Sequence, residues 1–153
     1  MEALAGDRRA APAPAEQRLG MALKKAEQAM LRAKSAALKP AGLTLAQYVA
    51  LAELDRQPGI AAATLARACL VTPQAMMIVL KSLDEQGLIV RSPHPRHPNV
   101  LELHITAAGY EVLDVARHRV EPVERRIMDA FAPDELKVLD AMLARWIEAL
   151  DGD

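Results

Sequence analysis

The chain has 153 residues, of which 52% are hydrophobic, 25% charged and 3% aromatic, and its formal net charge is −1. That length suits one well-packed domain and is too short for two comfortable ones. Ala, Leu, Glu, Arg and Met dominate and β-branched runs are short, which favours a mostly α class.

The opening fifteen residues, MEALAGDRRAAPAPA, lack an apolar segment of signal-peptide type and read as a disordered Ala/Pro tail, residues 1–15. The longest uncharged stretch, Ala68 to Leu80, contains Pro73 and falls well short of the ~20 residues needed to cross a bilayer, so no membrane partner is expected. A single cysteine, Cys69, cannot form an internal disulfide, which fits a reducing cytoplasm. Charge is uneven. Glu16 to Lys39 holds six basic residues against two acidic ones, and Ala107 to Asp153 holds six against eleven. A weakly acidic chain can therefore still present a locally basic face to nucleic acid, although solvated helix faces of accidental sign explain the charges equally well.

In chain order, Leu19, Leu23, Ala26, Met30 and Leu31 recur at helical spacing, predicting a long first helix that Pro40 and Gly42 end. Thr44 is the expected N-cap of a second helix, with Gln47 completing a capping box and Pro58-Gly59 closing the segment. A short helix is expected over Ala62 to Cys69. Thr72-Pro73 then reads as an N-cap followed by proline at the first helical position, opening a fourth helix. Leu88 to Val90 and Val100 to Ile105 read as strands around SPHPRHPN, a hairpin with a long tip. Thr106 caps a helix to about Ala130, and Pro133 with Asp134 and Glu135 starts the last one. The predicted order is α-α-α-α-β-β-α-α.

Two short helices joined by a tight turn and followed by a hairpin describe a winged helix-turn-helix. Its second helix enters the major groove, which explains why VTPQAMMIVLKS carries a core face and an outward face with no acidic residue. The segments GLTLAQYVALAEL, TLARACLVTPQAMMIVLKSLDEQGLIVR, LELHITAAGYEVL and FAPDELKVLDAML, in this order between long helices, resemble the MarR family of bacterial transcriptional regulators. The resemblance runs from about Leu19 to Leu150. It implies a homodimer that holds two winged domains on a palindromic double-stranded operator and is often released by a small ligand or an oxidant. The corresponding division is an N-terminal dimerisation helix (16–43), a DNA-binding domain (44–106) and C-terminal dimerisation helices (107–153). Apolar seams on the last two helices favour a dimer independently, since a small winged domain would leave them exposed. Their folding back over their own domain is the alternative.

With Met76, Val79, Leu80 and Leu83 placed inward, the outward residues of the fourth helix include Thr72, Gln74, Ala75, Met77, Ile78, Lys81 and Ser82. Gln74 suits an adenine edge, and Ala75 or Ile78 a thymine methyl. Thr72, Ser82 and Lys81 suit phosphates, although Thr72 is equally a plain helix cap. Many relatives carry polar or basic residues where Met77 and Ile78 stand, and an Asp followed by paired Arg at the wing tip. Here the tip offers Arg96 for the minor groove, between His94 and His97, with Arg91 at the wing base for a phosphate. The His94-x-x-His97 pair lacks an accompanying Cys or carboxylate cluster in the sequence, so no metal is expected. Cys69 is expected to pack inward as an inert thiol. An effector pocket of the family type would draw on Met21, Met30, Tyr48 and His118, each of which core or surface placement explains as well. No nucleophile–base pair, metal-ligand spacing or Gly-rich phosphate loop is visible, so neither an enzyme nor a cofactor is expected. The sequence thus points to a dimeric DNA-binding repressor relieved by a small ligand. Its rival is a winged-helix protein-interaction module with weak or no specific DNA binding.

Overall fold

The computed structural model describes residues 15–151, so the expected N-terminal tail, apart from Ala15, lies outside the described residues. The elements are α1 (Ala15–Leu38), α2 (Leu45–Arg56), α3 (Ala62–Ala68), α4 (Pro73–Glu85), β1 (Ile89–His94), β2 (His97–Ile105), α5 (Ala107–Met128) and α6 (Pro133–Asp151). A short 3-10 turn, Lys39–Ala41, joins α1 to α2. The order expected from the sequence is the order found, a mostly α winged helix-turn-helix.

Local chemistry fixes where the helices begin. Thr44 Oγ1 accepts from the Gln47 amide at 3.2 Å while Gln47 Oε1 accepts from the Thr44 amide at 2.8 Å, the reciprocal capping box. Thr72 Oγ1 accepts from the Ala75 amide at 3.2 Å, with Pro73 at the first helical position where its missing N–H costs nothing. Thr106 Oγ1 accepts from the Gly109 amide at 3.0 Å. Each cap satisfies a backbone donor that the helix itself leaves unpaired, worth about 1 kcal/mol.

The core is aliphatic and lies in the winged domain. Leu51 and Leu54 of α2, Leu65 of α3, Met76, Leu80 and Leu83 of α4, Leu103 of β2 and Leu113 of α5 are all essentially inaccessible. On α5 the buried side chains Leu113, Ala116 and Val120 follow one another at three and four residues, a single helical stripe. On α6 no side chain is buried. A groove of about 580 Å³ runs between α1, α5 and α6, lined by Leu23 and Met30, Val123 and Ile127, and Leu139 and Leu143.

The hairpin differs from the sequence expectation. Its tip is tight, and the strands reach much further along SPHPRHPN than two short strands around a long loop would. Pairing runs from Ile89↔Ile105 to Pro93↔Leu101, with a bulge between Pro93 and His94. A two-stranded ribbon has a free edge on each strand, so Pro93 and Pro98 sit in it without robbing a ladder of donors. His94 Nδ1 closes the tip by accepting from the amides of Arg96, at 3.0 Å, and His97, at 3.2 Å. No single helix among the described residues is long and apolar enough to cross a membrane.

Candidate nucleic-acid interface

Helices α3 and α4 meet at 110° across the turn Cys69–Thr72, the geometry of a helix-turn-helix. That turn contains Leu70, which adopts a left-handed φ of 56° and is 93% exposed. Met76, Leu80 and Leu83 bury one face of α4, with Val79 half-buried beside them, as the pattern predicts. Opposite this face, Gln74, Ile78, Lys81 and Glu85 follow at four, three and four residues and form one exposed stripe. Thr72 and Ala75 are exposed at its N-terminal end and Met77 flanks it.

Several polar groups expected to face outward already have partners in the protein. Ser82 is half-buried, and its Oγ accepts from Gln47 Nε2 at 2.9 Å and from Gln86 Nε2 at 3.1 Å. Gln47 is itself buried, so this bond ties α2 to α4 and keeps a costly interior amide satisfied. Lys81 Nζ lies 3.8 Å from Glu85, and Arg91 Nε lies 3.4 Å from Asp84, which draws Arg91 back toward the end of α4. Arg96 stands exposed at the wing tip. Along the wing, the Glu102 carboxylate lies 3.1 Å from His104 Nε2 and 3.7 Å from His94 Nε2. Gly59, at φ 83°, packs its backbone against the His104 ring, where a side chain would crowd. The rings of His94 and His97 are 5.1 Å apart. Among the described residues no group of three His, Cys, Asp or Glu side chains is placed to hold a metal ion.

The four candidate effector residues do not come together. Tyr48 and His118 line one pocket of about 320 Å³ with Arg117, Glu121 and Glu124. Met30 lies in the apolar groove instead, and Met21 is exposed on α1. The polar pocket is framed by two ion pairs, Arg117–Asp55 at 2.5 Å joining α5 to α2 and Lys34–Glu124 at 2.8 Å joining α1 to α5. Burial pushes the Tyr48 phenol above its usual range, with Glu124 adding to the effect and Lys34 and Arg117 opposing it. Sequence reading missed Arg117. The available signal was a charged residue directly beside the apolar stripe Leu113, Ala116 and Val120. Cys69 is half-buried against the core, and burial, then the charge of Glu53, pushes its thiol up.

Residues 41–97 match the family model described as MarR family. The HTH-type transcriptional repressor Rv2887 of Mycobacterium tuberculosis is 34% identical over 111 residues, spanning 72% of this chain and 80% of that protein. The crystal structure of Rv2887 in complex with p-aminosalicylic acid superposes with a TM-score of 0.66 at 32% identity, covering 88% of this chain and 98% of that one. The repressor CouR bound to a 23-mer DNA duplex superposes with a TM-score of 0.78 at 27% identity, covering 90% and 99%.

Proposed function

Because the chain belongs to the MarR family, we propose that it is a homodimeric, sequence-specific DNA-binding transcriptional repressor whose hold on a palindromic operator is loosened by a small organic acid. The observation that carries this reading is the exposed stripe Gln74, Ile78 and Lys81, set opposite the buried face of a helix that meets α3 at 110° and is followed by a wing tipped with Arg96. A helix so placed can enter a major groove while the wing reaches the neighbouring backbone or minor groove.

The parts divide the work as follows. Residues 44–106 form the DNA-binding domain, with Thr72, Lys81, Arg91 and Ser82 toward phosphates and Gln74, Ala75 and Ile78 toward base edges. Thr72 serves as helix cap and phosphate donor together. Ser82 is half-buried between Gln47 and Gln86, and Arg91 Nε is buried beside Asp84, so both rank below Gln74, Lys81 and Arg96. Residues 16–43 and 107–153 form the dimer, a second copy covering the groove between α1, α5 and α6 and the apolar face of α6. The effector enters at Tyr48, Arg117 and His118, where its carboxylate competes with Asp55 for Arg117; the relative seen with p-aminosalicylic acid supports that ligand class. The role requires no catalysis or cofactor, and a regulator acting on the chromosome of a bacterium works in the cytoplasm.

Selection of bound duplexes from a random pool, followed by fluorescence polarisation across a salt series, tests the reading. An enriched palindrome whose affinity falls steeply with salt is the expected result, because phosphate contacts release counterions. Binding that is insensitive to salt, or a pool without an enriched sequence, overturns it and favours the protein-interaction alternative.

A further inference from the structure

The outward stripe of α4 has an unusual chemistry for a reading surface. Its centre is Ile78, 72% exposed, with the amide of Gln74 one turn before it and Lys81 nearly one turn after it. Beside it Met77 is 47% exposed. The other hydrogen-bonding groups lie at the ends of the stripe or beside partners in the protein. Ser82 holds Gln47 and Gln86, Arg91 lies beside Asp84, and Lys81 is drawn along the stripe toward Glu85. Thr72 Oγ1 is already accepting from the Ala75 amide. What the middle of the stripe offers base edges is one amide and an aliphatic side chain, with Lys81 toward its C-terminal end.

The major-groove edges of the four base pairs are made of donors and acceptors with one apolar exception, the C5 methyl of thymine. An aliphatic side chain facing those edges leaves the donors and acceptors of a G·C pair unsatisfied and dehydrated, whereas it removes a methyl from water when it meets thymine. From this we infer that Ile78 is a specificity-determining residue that selects a thymine methyl at a fixed position in each operator half-site, next to the base pair read by Gln74. The inference rests on the proposed DNA-binding function and adds the chemical feature that is read.

The test removes the methyl without touching any hydrogen-bonding group. In a duplex selected by the protein from a random pool, deoxyuridine replaces thymidine at each position in turn, and affinity is followed by fluorescence polarisation. One thymine in each half-site is expected to cost wild-type protein about fourfold when replaced alone, and about fifteenfold when replaced in both halves, the factors for one and two buried methyl groups. Ile78→Ala, which alters an exposed side chain and leaves the core intact, is expected to bind the thymidine and deoxyuridine duplexes alike. Placing 5-methylcytosine, rather than cytosine, at that position is expected to restore part of the wild-type affinity and none of the variant's. An enriched operator that wild-type protein binds equally well with deoxyuridine throughout overturns the inference alone, as does an Ile78→Ala variant that keeps the discrimination. A pool with no enriched sequence overturns the DNA-binding reading and this inference with it.

Discussion

Arg117 of α5 reaches the carboxylate of Asp55 on α2 at 2.5 Å, bridging the winged domain to a helix that also packs against α1. The Asp55 hydrogen bond raises the already high pKa of the guanidinium, so Arg117 stays charged at every relevant pH. The pair is partly exposed, and its direct worth to stability is about 0–1 kcal/mol. Its consequence lies in coupling. A ligand carboxylate that takes Arg117 from Asp55 breaks the ion pair between α5 and α2, and α2 is bonded to α4 through Gln47 and Ser82. On the proposed function, with p-aminosalicylic acid as the probe, Arg117→Ala is therefore expected to leave the melting temperature nearly unchanged while lowering operator affinity without ligand and abolishing its further dependence on the acid. Asp55→Asn, which weakens the competitor, is expected to lower the p-aminosalicylic acid concentration for half-release severalfold. Polarisation of a labelled operator during a titration with that acid reads both, and equal responses in both variants would refute the coupling.

Gly109 permits the close approach of α5 to the wing base. A Cβ there would lie 2.1 Å from the Leu88 carbonyl oxygen and 2.7 Å from Ile105 Cγ2, and the first of these is backbone that cannot swing aside. The same carbonyl accepts from the Thr106 amide at 3.0 Å, which pins it further. Gly109→Ala is expected to destabilise the protein by at least ~2 kcal/mol through overpacking, despite alanine's better helix propensity. Gly20, inside α1 with nothing within 4 Å of its added Cβ, provides the opposite sign, and Gly20→Ala should stabilise by about 0.5–1 kcal/mol. Urea denaturation of the two variants checks the pair.

What could be read from the sequence was what neighbouring residues decide. Thr44 with Gln47, Thr72 with Pro73, and Thr106 are caps whose bonds close within three residues, so their letters sufficed to place helix starts. The inward set Met76, Val79, Leu80 and Leu83 followed from period alone. The wing was misjudged because prolines usually end strands, and only a ribbon with two open edges tolerates Pro93 and Pro98. The polar pocket was only half legible. Tyr48 and His118 belong, with Met21 and Met30, to the set that the family resemblance suggests for a pocket, but Arg117 meets Asp55 across 62 residues of chain, and no local pattern announces such a pair. The engagement of Ser82 by Gln47, 35 residues away, was invisible for the same reason.

Base reading and phosphate anchoring separate experimentally on this surface. Arg96 at the wing tip is expected to serve every sequence alike, so Arg96→Ala should weaken binding to all duplexes and reduce the salt slope by about 1. Gln74→Ala should instead cost ~1–3 kcal/mol only where an adenine occupies the position it reads. Competition between operator variants distinguishes the two patterns. An unchanged base preference in Gln74→Ala would remove Gln74 from the readers.

The exposed apolar face of α6 gives a test of assembly that does not threaten the monomer fold. Met142 is 58% and Ile147 60% exposed in the single chain, so a carboxylate at either position costs an isolated protomer little. Buried against a second copy, the same carboxylates would be desolvated without a partner. Met142→Glu combined with Ile147→Glu is expected to sediment as a monomer with an unaltered circular dichroism spectrum. Loss of the second winged domain should then lower operator affinity by ~10²-fold or more, because the second half-site no longer binds intramolecularly. A variant that still sediments as a dimer would place the interface elsewhere.

Cys69 separates ligand control from redox control. Thiolate, not thiol, attacks peroxides and alkylating agents, and its abundance at neutral pH falls as the thiol pKa rises. Burial raises that pKa here, and the nearby charge of Glu53 raises it further, so both causes act against reactivity. The sulfur also packs against the core, which limits access. Alkylation of the native protein by iodoacetamide at neutral pH should therefore be slower than that of the urea-unfolded chain. Its pH–rate midpoint should lie above the ~8.5 of a free cysteine. DNA binding should survive hydrogen peroxide at doses that oxidise exposed thiols, and Cys69→Ser should respond to p-aminosalicylic acid as wild type does. Release of operator by peroxide in wild type, absent in Cys69→Ser, would show instead that the turn before α4 is a redox switch.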